Sequence, residues 1–332
     1  MKTAVIILNW NGKNLLETYL PSVVAYSGDA TVYVADNAST DDSVAYVQRE
    51  FPSVEIIQNA TNGGYAKGYN DALQHLDETL LVLLNSDVAV TKNWLVPVVK
   101  AFQQEENLAA AQPKILDDKK KTHFEYAGAA GGFIDALGYP YCRGRIFNTI
   151  EEDKGQYDDT VSIFWATGAC LFIRNLDFKE AGGFDETFFT HQEEVDLCWR
   201  LRGLGKEVKY IGGTTVYHLG GATLETQNPK KTFYNFRNSL LMIVKNVSGI
   251  KVVPLLLLRM VLDGIAALQL LLQAKPSHFF AVFKAHFSFY YLLPRCVSKR
   301  KNIKKRRGYA AQKSIVWQYF IKRQRLFSDL IK

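Results

Sequence analysis

The sequence has few cysteines, and no two of them are spaced to bind a metal. The 332 residues include four cysteines that lie far apart: Cys142, Cys170, Cys198 and Cys296. Without a CxxC pair the chain does not suggest a zinc knuckle, and four scattered thiols do not suggest a dense disulfide framework. We therefore expect reduced thiols in a cytosolic setting.

The chain also lacks the patterns of nucleic-acid-binding domains. No helix-turn-helix, zinc-finger or RNP-like pattern is present, although the net charge is +7. The charge is unevenly distributed, because seven of the 40 Lys and Arg residues crowd one short tract near the C-terminus: Lys299, Arg300, Lys301, Lys304, Lys305, Arg306 and Arg307. A basic tract beside apolar segments suits anionic lipid headgroups better than a base-reading surface. We expect an anionic membrane surface as a partner and no nucleic acid.

At the N-terminus the apolar run is too short for the core of an export signal. It extends from Ala4 to Leu8 and stops at Asn9-Trp10-Asn11-Gly12, so we expect a first β-strand and no export signal.

Internal repeats and low-complexity segments are absent. With 48% hydrophobic residues, the chain can bury one large domain, or one domain plus an appendage.

Apolar runs of strand length alternate with helical patterns in the first half of the chain. Strands are predicted at Val5 to Leu8, Val32 to Ala35, Val54 to Ile57 and Leu80 to Leu84, with helices near 13–26, 41–50 and 66–76. Repeated βα units indicate an α/β fold with a mainly parallel sheet and right-handed crossovers.

The second half is less regular. The charged, glycine-rich stretch 117–160 is expected to pass over the mouth of the active site. The pattern then resumes with a strand at Cys170 to Ile173, a helix carrying Glu193 to Arg202, and a strand near Val208 to Ile211. Composition changes near residue 240, which predicts one domain over 1–240 and a helical, apolar and then basic region over 241–332.

The C-terminal region carries two apolar segments. Val252 to Leu272 is almost wholly apolar, but Arg259 and Asp263 are four residues apart, so a helix here has a narrow polar stripe. The aromatic-rich Phe279 to Leu293 follows Pro276. Because a charged pair disfavours a lone lipid-exposed span, we expect a membrane-surface or shallow helical hairpin with a cytosolic basic flank. The alternative is a soluble helical subdomain that packs on the sheet.

Polar side chains follow the predicted strands at the point where each strand ends. Asp87 comes just after the apolar run Leu80 to Leu84, and Asp36 follows the second strand. In open α/β folds this carboxyl edge of the sheet binds ligands. One Asp and one neutral His, here Asp87 and His218, suit a divalent cation (Mg²⁺ or Mn²⁺) that holds a diphosphate, which leaves a separate Glu free for proton transfer. The alternatives are that Asp87 caps the helix before Trp94 and that His218 is a satisfied polar residue at a strand end.

Two loops have the composition of a nucleotide site. Asp36 opens a loop in which it could meet ribose hydroxyls or a pyrimidine N3–H. In the same loop Ser39 or Thr40 is expected to cap the next helix, with acids in its first turn. The glycine-rich turn Asn62 to Asn70 allows backbone amides and Lys67 to approach a nucleotide closely, although its spacing matches neither the P-loop nor the Rossmann fingerprint.

Glu193, Glu194 and Asp196 open a predicted helix. Acids in a first turn also stabilise the helix dipole, which is the structural alternative for them. The dipole does not explain why they follow Gly183-Phe184-Asp185-Glu186 and Phe188-Phe189.

Together these features resemble the family 2 glycosyltransferases with the GT-A fold, and most closely their rhamnosyltransferase-like branch. The matching motifs follow the expected order over roughly residues 3–240: Asn9-Trp10-Asn11-Gly12, Asp36-Asn37-Ala38-Ser39, Asn62-Gly63-Gly64-Tyr65-Ala66, Asn85-Ser86-Asp87, Gly182-Gly183-Phe184-Asp185, Glu193-Glu194-Val195-Asp196-Leu197-Cys198-Trp199-Arg200 and Val216-Tyr217-His218.

The resemblance implies roles for individual residues. Glu194 would be the catalytic base, and Asp87 and His218 would bind the divalent metal. The implied substrate-binding residues are Asn9, Asn11, Asp36, Asn62, Gly64, Tyr65, Lys67, Asn70, Asp185 and Glu193. Two positions depart from the family pattern, because Asn85 stands where a full DxD motif has its first Asp and Glu194 stands where Asp is more usual.

The implied fold is a GT-A-type, Rossmann-like, mainly parallel sheet with helices on both faces, plus a C-terminal helical membrane-associating region. The implied activity is inverting, metal-assisted transfer of a sugar from dTDP-rhamnose or a UDP-sugar to a hydroxyl of a glycan or lipid-linked glycan, in cell-surface polysaccharide synthesis. We expect a cytoplasmic protein, peripheral or monotopic at the inner face of the cell membrane.

Other functions stay open at this stage. A nucleotidyltransferase would need a triphosphate loop after the first strand, where Asn9-Trp10-Asn11-Gly12 stands instead. A non-catalytic nucleotide-sugar-binding module would keep Asp36 and the glycine turn but lose the base. A membrane-associated scaffold leaves the acids at the strand ends unexplained.

Overall fold

A computed structural model describes residues 1–220, 228–304 and 308–330 of the chain. The first half alternates strands with helices, as predicted: β1 (Thr3–Asn9), α1 (Lys13–Tyr26), β2 (Thr31–Asp36), α2 (Ser43–Glu50), β3 (Glu55–Gln58), α3 (Gly64–Leu73), β4 (Leu80–Asn85), β5 (Val88–Val90), α4 (Val96–Gln104) and β6 (Leu108–Asp117). The α/β class is therefore confirmed.

The stretch after β6 folds into short strands. They are β7 (Gly132–Ile134), β8 (Pro140–Cys142), β9 (Arg145–Ile146) and β10 (Thr149–Ile150), which form a small antiparallel sheet. The chain then returns to the large sheet through β11 (Thr160–Ser162), β12 (Cys170–Arg174), α5 (Asn175–Glu180), α6 (Glu193–Gly203) and β13 (Glu207–His218).

In the part of the chain that the structure describes, the large sheet has nine strands. Eight of them follow the order β11-β13-β6-β12-β4-β1-β2-β3, and β5 pairs with β13. The pairs β1/β2, β1/β4, β2/β3 and β6/β13 are parallel, and β12 runs antiparallel between β4 and β6. Six strands thus point the same way, so the carboxyl ends of β1, β2, β4 and β13 meet at one edge.

The core lies on both faces of this sheet. Side chains alternate along a strand, so β1 and β4 contribute to two apolar layers. One layer packs Ile6 and Leu83 with Tyr69 of α3, and the other packs Ile7 and Leu84 with α1. Helices therefore cover both faces, as predicted.

The sequence pattern does not predict β6, although this strand is central and buried. Its residues begin Leu-Ala-Ala-Ala and continue with Gln112, Pro113 and Lys114, which gives no apolar strand signal. The buried polar groups are paired: Gln112 Oε1 accepts from the Thr167 N–H (3.0 Å), and Lys114 Nζ donates to Asp153 (2.8 Å). Tertiary partners thus allow polar residues in a buried strand.

The predicted caps of α2 are wrong. The helix begins at Ser43, and the Ser39 hydroxyl instead accepts from the Asn11 N–H (2.8 Å) and from Asn9 Nδ2 (3.2 Å). The Thr40 N–H donates to Asn11 Oδ1 (2.7 Å). These groups fasten the loop after β2 to the loop after β1 and are not available to the helix.

The C-terminal part consists of α7 (Pro229–Asn246), α8 (Val252–Leu272), α9 (Pro276–Arg300), a π-helical turn at Trp317–Ile321 and α10 (Phe327–Leu330). Helix α7 runs through residue 240, where the sequence predicts a domain boundary, and that division stays a prediction.

Helix α8 presents its polar stripe to the protein and its apolar residues to the outside. Its buried residues are Arg259, Asp263 and Ala267. Arg259 Nη1 donates to the Leu137 carbonyl and Nη2 donates to Ser239 Oγ, both at 2.8 Å. The large exposed side chains of α8 are Val253, Leu257, Leu258, Val261, Ile265, Leu268, Leu271 and Leu272. Among the described residues, α8 is the one helix long and apolar enough to cross a membrane.

Part of the basic tract contacts the protein. Lys299 pairs with Asp185 and donates to Thr187 Oγ1 (2.9 Å), and Arg300 donates to the carbonyl of Gly249 (3.0 Å). These two cations are therefore engaged within the fold. Lys305, Arg306 and Arg307 lie outside the described residues.

Candidate active site

Asp36 and Asn9 lie side by side at the carboxyl edge, because they are register partners in the parallel pair β1/β2. Asn9 Nδ2 donates to Asp36 Oδ1 (3.0 Å), and the Ser39 N–H donates to Oδ2 (2.9 Å). A carboxylate offers about four acceptor positions, so Asp36 can accept further hydrogen bonds. Asn9 Oδ1 is buried and accepts none from the described residues. Asn11, at φ 48°, holds the neighbouring loop through its side chain.

The glycine turn packs directly against the segment that leads to α6. Asn62 Oδ1 accepts from the Gly64 N–H (3.0 Å), and Gly64 has a φ of +76°. A Cβ on Gly64 would lie 2.6 Å from the Phe189 carbonyl oxygen, so only glycine fits here. The Tyr65 hydroxyl donates to the Gly168 carbonyl (2.9 Å).

Two predicted nucleotide contacts on α3 have partners within the protein. Lys67 Nζ pairs with the Asp71 carboxylate (2.8 Å) at the surface. Asn70 Nδ2 donates to the Phe184 carbonyl, and Asn70 Oδ1 accepts from the Phe184 N–H, both at 2.9 Å. Asn70 therefore links α3 to the segment before α6. Contacts of Lys67 and Asn70 with a nucleotide stay predictions.

Asp87 and His218 meet, as their positions after β4 and at the end of β13 predict. His218 Nε2 lies 3.1 Å from Asp87 Oδ1, and both residues are buried. Glu125, which the sequence gives no reason to select, lies on the other side of the ring, with Oε2 3.4 Å from Nδ1. Burial alone lowers the pKa of His218, but the carboxylates of Glu125 and Asp87 outweigh it and raise that pKa to about 10. The pocket thus favours a positive charge.

This donor set fits a divalent cation that also binds phosphate. Neighbouring ligands of an octahedral Mg²⁺ are about 3 Å apart, close to the Asp87–His218 separation. Glu125 Oε2 and His218 Nδ1 form an ion-pair contact at 3.4 Å without a hydrogen bond, and with a metal at Nε2 this carboxylate would be the nearest acceptor for Nδ1–H, as second-shell carboxylates are. The described residues contain no cluster of three or more His, Cys, Asp or Glu side chains arranged for a metal. Phosphate oxygens and water would complete the coordination.

Glu193 and Glu194 begin α6, where burial makes them unusual carboxylates. Burial and the neighbouring Glu194 raise the pKa of Glu193 well above its usual range. Burial raises the pKa of Glu194 to about 7, although first-turn N–H groups oppose it. Oε2 of each is buried and meets no hydrogen-bond partner among the described residues; the same is true of His191 Nε2 and Gln192 Oε1. Four consecutive side chains with unpaired polar atoms indicate a binding site.

The other nearby acids are occupied by cations. Lys245 Nζ donates to Asp185 Oδ2 (2.6 Å) and to Asp196 Oδ2 (2.8 Å), and Arg200 Nε donates to Asp196 (2.9 Å). Burial alone would raise the pKa of Asp185, but Lys245 and Lys299 hold it well below its usual range. Asp185 and Asp196 thus hold α6, α7 and α9 together. Substrate binding by Asp185 stays a prediction.

The acid pair lies beside the glycine turn. The Tyr65 N–H donates to the Phe189 carbonyl (2.9 Å), just before the acids. Burial raises the pKa of Tyr65 well above its usual range, and the negative charges of Glu193 and Glu194 add to the effect. Since α3 starts at the carboxyl edge, the acids belong to the same region as the nucleotide loops.

Comparison with known proteins identifies the family of this chain. A family model described as glycosyl transferase family 2 matches residues 4–175, about half of the chain. The chain belongs to glycosyl transferase family 2. It is therefore a glycosyltransferase, and the resemblance derived from the motifs is confirmed.

The chain is also similar to individual glycosyltransferases, in sequence and in structure. The chain is 25% identical over 233 residues to the N-acetylglucosaminyl-diphospho-decaprenol L-rhamnosyltransferase of Mycobacterium tuberculosis (strain ATCC 25618 / H37Rv), covering 64% of this chain and 75% of that relative. It is 22% identical to the rhamnosyltransferase WbbL of Escherichia coli (strain K12), covering 64% of this chain and 82% of WbbL. The mannosyltransferase PcManGT from Pyrobaculum calidifontis, solved with GDP-Man and Mn²⁺, matches with a TM-score of 0.54 at 12% identity over 87% of each chain. The predicted GT-A-type fold is confirmed.

Proposed function

We propose that this glycosyltransferase inverts the anomeric centre of the sugar that it transfers. The donor would be a nucleoside-diphosphate sugar, dTDP-rhamnose or a UDP-sugar, and the acceptor a hydroxyl of a glycan or lipid-linked glycan. The observation that carries the proposal is the acid pair Glu193/Glu194 beside the nucleotide loops, in which the Oε2 atom of each acid is buried and unpaired among the described residues. Relatives named as rhamnosyltransferases support the donor class.

Glu194 is the best-suited base among the acids of this region. Asp185 and Asp196 are paired with cations, so they are poor proton acceptors. Glu193 is only 4% exposed, so an acceptor reaches it poorly, and burial together with the neighbouring Glu194 raises its pKa well above the usual range. Glu194 is partly exposed and can meet an acceptor, and a base with a pKa of about 7 suits proton transfer near neutral pH.

The donor would bind along the carboxyl edge. Asp36 would accept hydrogen bonds from the nucleoside, and the unpaired Asn9 Oδ1 beside it is a second acceptor. Asp87 and His218 would hold a divalent cation with the diphosphate, and the cation would supply charge neutralisation for the departing nucleotide. PcManGT, solved with a nucleotide sugar and Mn²⁺, supports metal use by analogy.

The reaction would be a single displacement. The acceptor oxygen forms a bond to the anomeric carbon while the bond from that carbon to the diphosphate oxygen breaks. Glu194 takes the proton from the acceptor hydroxyl, and the nucleoside diphosphate leaves with the electron pair. One displacement inverts the anomeric centre.

The experiment is a panel of nucleotide sugars assayed for hydrolysis, for transfer and for thermal stabilisation, each with and without Mn²⁺ or Mg²⁺. Turnover of at least one donor supports the proposal. Thermal stabilisation without turnover would identify a binding module instead, and no response to any donor would contradict the donor class.

The exposed apolar face of α8 supports the proposal that the enzyme binds to the cytoplasmic face of the cell membrane. Only 17% of its most apolar stretch is buried inside the protein. An apolar surface of this size marks an interaction site, and lipid matches its composition.

The double substitution Val261→Glu with Ile265→Glu should abolish co-sedimentation with anionic liposomes. Leu176→Glu on α5, equally apolar and 71% exposed, is the matched control and should not. Equal binding by both variants would contradict membrane docking through α8.

A further inference from the structure

The turn before the acid pair has a backbone that L-residues rarely adopt. Three residues without the freedom of glycine have positive φ there: Phe189 (64°), His191 (67°) and Gln192 (74°). Such a conformation persists only where the surroundings impose it, and it is common at active sites. Gln192 directly precedes α6, so this turn sets the direction in which Glu193 and Glu194 leave it.

The amide of Asn238, on α7, holds this turn. Asn238 is fully buried, and its Nδ2 lies within hydrogen-bond distance of three carbonyl oxygens. These belong to Phe188 (3.0 Å), Thr190 (2.9 Å) and His191 (2.7 Å). An amide NH₂ has two hydrogens, so one of them is shared between two carbonyls. One side chain therefore holds three carbonyls between Phe188 and His191, before and within the strained part of the turn.

Arg237 fixes the orientation of that amide. Its Nε donates to Asn238 Oδ1 (2.9 Å), so Nδ2 faces the turn. Arg237 Nη2 also donates to the carbonyls of Thr187 (2.9 Å) and Phe188 (3.0 Å). A rotated amide would place Oδ1 against three carbonyl oxygens and is excluded by repulsion.

The Phe189 carbonyl of the turn points to the glycine turn. Phe189 O accepts from the N–H groups of Tyr65 (2.9 Å) and Ala66 (3.3 Å) at the start of α3. The turn therefore joins the glycine turn, on one side, to α7 on the other.

We propose that Asn238, oriented by Arg237, is a positioning residue that holds the turn 187–192 and thereby places the Glu194 carboxylate for proton transfer. The inference rests on the proposed role of Glu194. Helix α7 would thus position the catalytic base without touching either substrate.

The test substitutes Asn238→Asp, which keeps the shape of the side chain and removes both donor hydrogens. We expect kcat for transfer to fall on the order of a hundredfold, as a misplaced catalytic group does, while the donor KM changes less than about threefold. Arg237→Gln, which removes the orienting bond but leaves Asn238, should lower kcat less. Hydrogen exchange of full-length protein should show faster exchange over 187–192 in both variants.

Asn175→Asp is the matched control. Asn175 is also a buried amide that donates to two loop carbonyls, those of Leu76 (2.8 Å) and Glu78 (3.0 Å), at the opposite edge of the sheet. It should lower thermal stability without changing kcat or exchange over 187–192. Wild-type kcat in Asn238→Asp, or an equal loss in Asn175→Asp, would overturn the proposal.

The two proposals can fail separately. If the wild-type protein turned over no nucleotide sugar, the proposed function would be wrong. The exchange comparison would still decide whether Asn238 holds the turn. If Asn238→Asp did not fold, Arg237→Gln would carry the test, and wild-type kcat and exchange in that variant would overturn the inference.

Discussion

Replacing Glu194 by glutamine should remove transfer and stabilise the protein at the same time. Glutamine keeps the size of the side chain but accepts no proton. If Glu194 is the base, kcat should fall by roughly the hundred- to ten-thousandfold that general base catalysis contributes, with donor binding nearly intact. Glu193→Gln is the control, because Glu193 carries its proton near neutral pH, where its pKa is raised well above the usual range, so replacing it by the neutral glutamine should lower kcat far less.

The stability gain follows from burial. The difference between an ordinary glutamate pKa of 4.5 and about 7 corresponds to about 3 kcal/mol of unfavourable free energy for the buried ionised form. Because the folded-state pKa is raised, the stability of the wild type is full below about pH 4.5 and is lost as pH rises through about 7. Glu194→Gln should therefore unfold at a higher Tm than wild type at pH 8, by several degrees, and at the same Tm at pH 4.

Kinetics and calorimetry across pH test both parts. Wild-type kcat should rise as pH increases through about 7, because the base must lose its proton, and Glu194→Gln should lack this dependence. An inactive Glu193→Gln beside an active Glu194→Gln would mean that the base is Glu193. A Glu194→Gln variant with near-full transfer, or with no stability gain at pH 8, would refute the reasoning from burial.

Four further substitutions test the rest of the site. Asp87→Ala and His218→Ala should each weaken metal-dependent donor binding roughly tenfold or more, and unchanged Mn²⁺ dependence in a donor titration would remove the metal assignment. Asp36→Ala should raise the donor KM roughly ten- to hundredfold through the loss of a charged hydrogen bond, with little change in metal dependence; an unchanged KM would make Asp36 purely structural. Lys245→Met should lower the free energy of unfolding, measured with urea, by less than the roughly 3–5 kcal/mol of an uncompensated buried charge, because Asp185 keeps Lys299 and Asp196 keeps Arg200; an unchanged free energy of unfolding would contradict a structural role for Lys245.

The parallel half of the fold could be predicted because its strands are buried on both faces. Such strands read as continuous apolar runs, and their ends mark the carboxyl edge. Asp36, Asp87 and His218 were therefore placed correctly at that edge from sequence. The strand that ends at His218 is longer than predicted. The prediction stops at Ile211 because Gly212 and Gly213 interrupt the apolar pattern, whereas the strand continues past them with an irregular register between Ile211 and Thr215.

The rest depends on contacts between distant segments. Glu125 belongs to the site because its carboxylate contacts the imidazole ring of His218. No feature of the charged sequence around Glu125 distinguishes it from the neighbouring acids. Asn238 matters because its amide meets three carbonyls some fifty residues earlier in the chain. The adjacent polar residues Arg237 and Asn238, which are both buried in α7, are the local feature of the sequence that could have indicated this contact. Side-chain partners of this kind have no periodicity to detect.

The C-terminal helices support the acid pair as well as the surface that we propose to contact lipid. Lys299 at the end of α9 pairs with Asp185, and Lys245 of α7 bridges Asp185 to Asp196 within α6. Arg300 donates to carbonyls at the end of α7. A truncation before α8 would remove Lys299 and Arg300 and uncover the face of α7 that packs on α9. The proposed membrane docking through α8 and the geometry of the turn 187–192 thus depend on one connected set of helices, so surface substitutions, rather than deletions, separate the two.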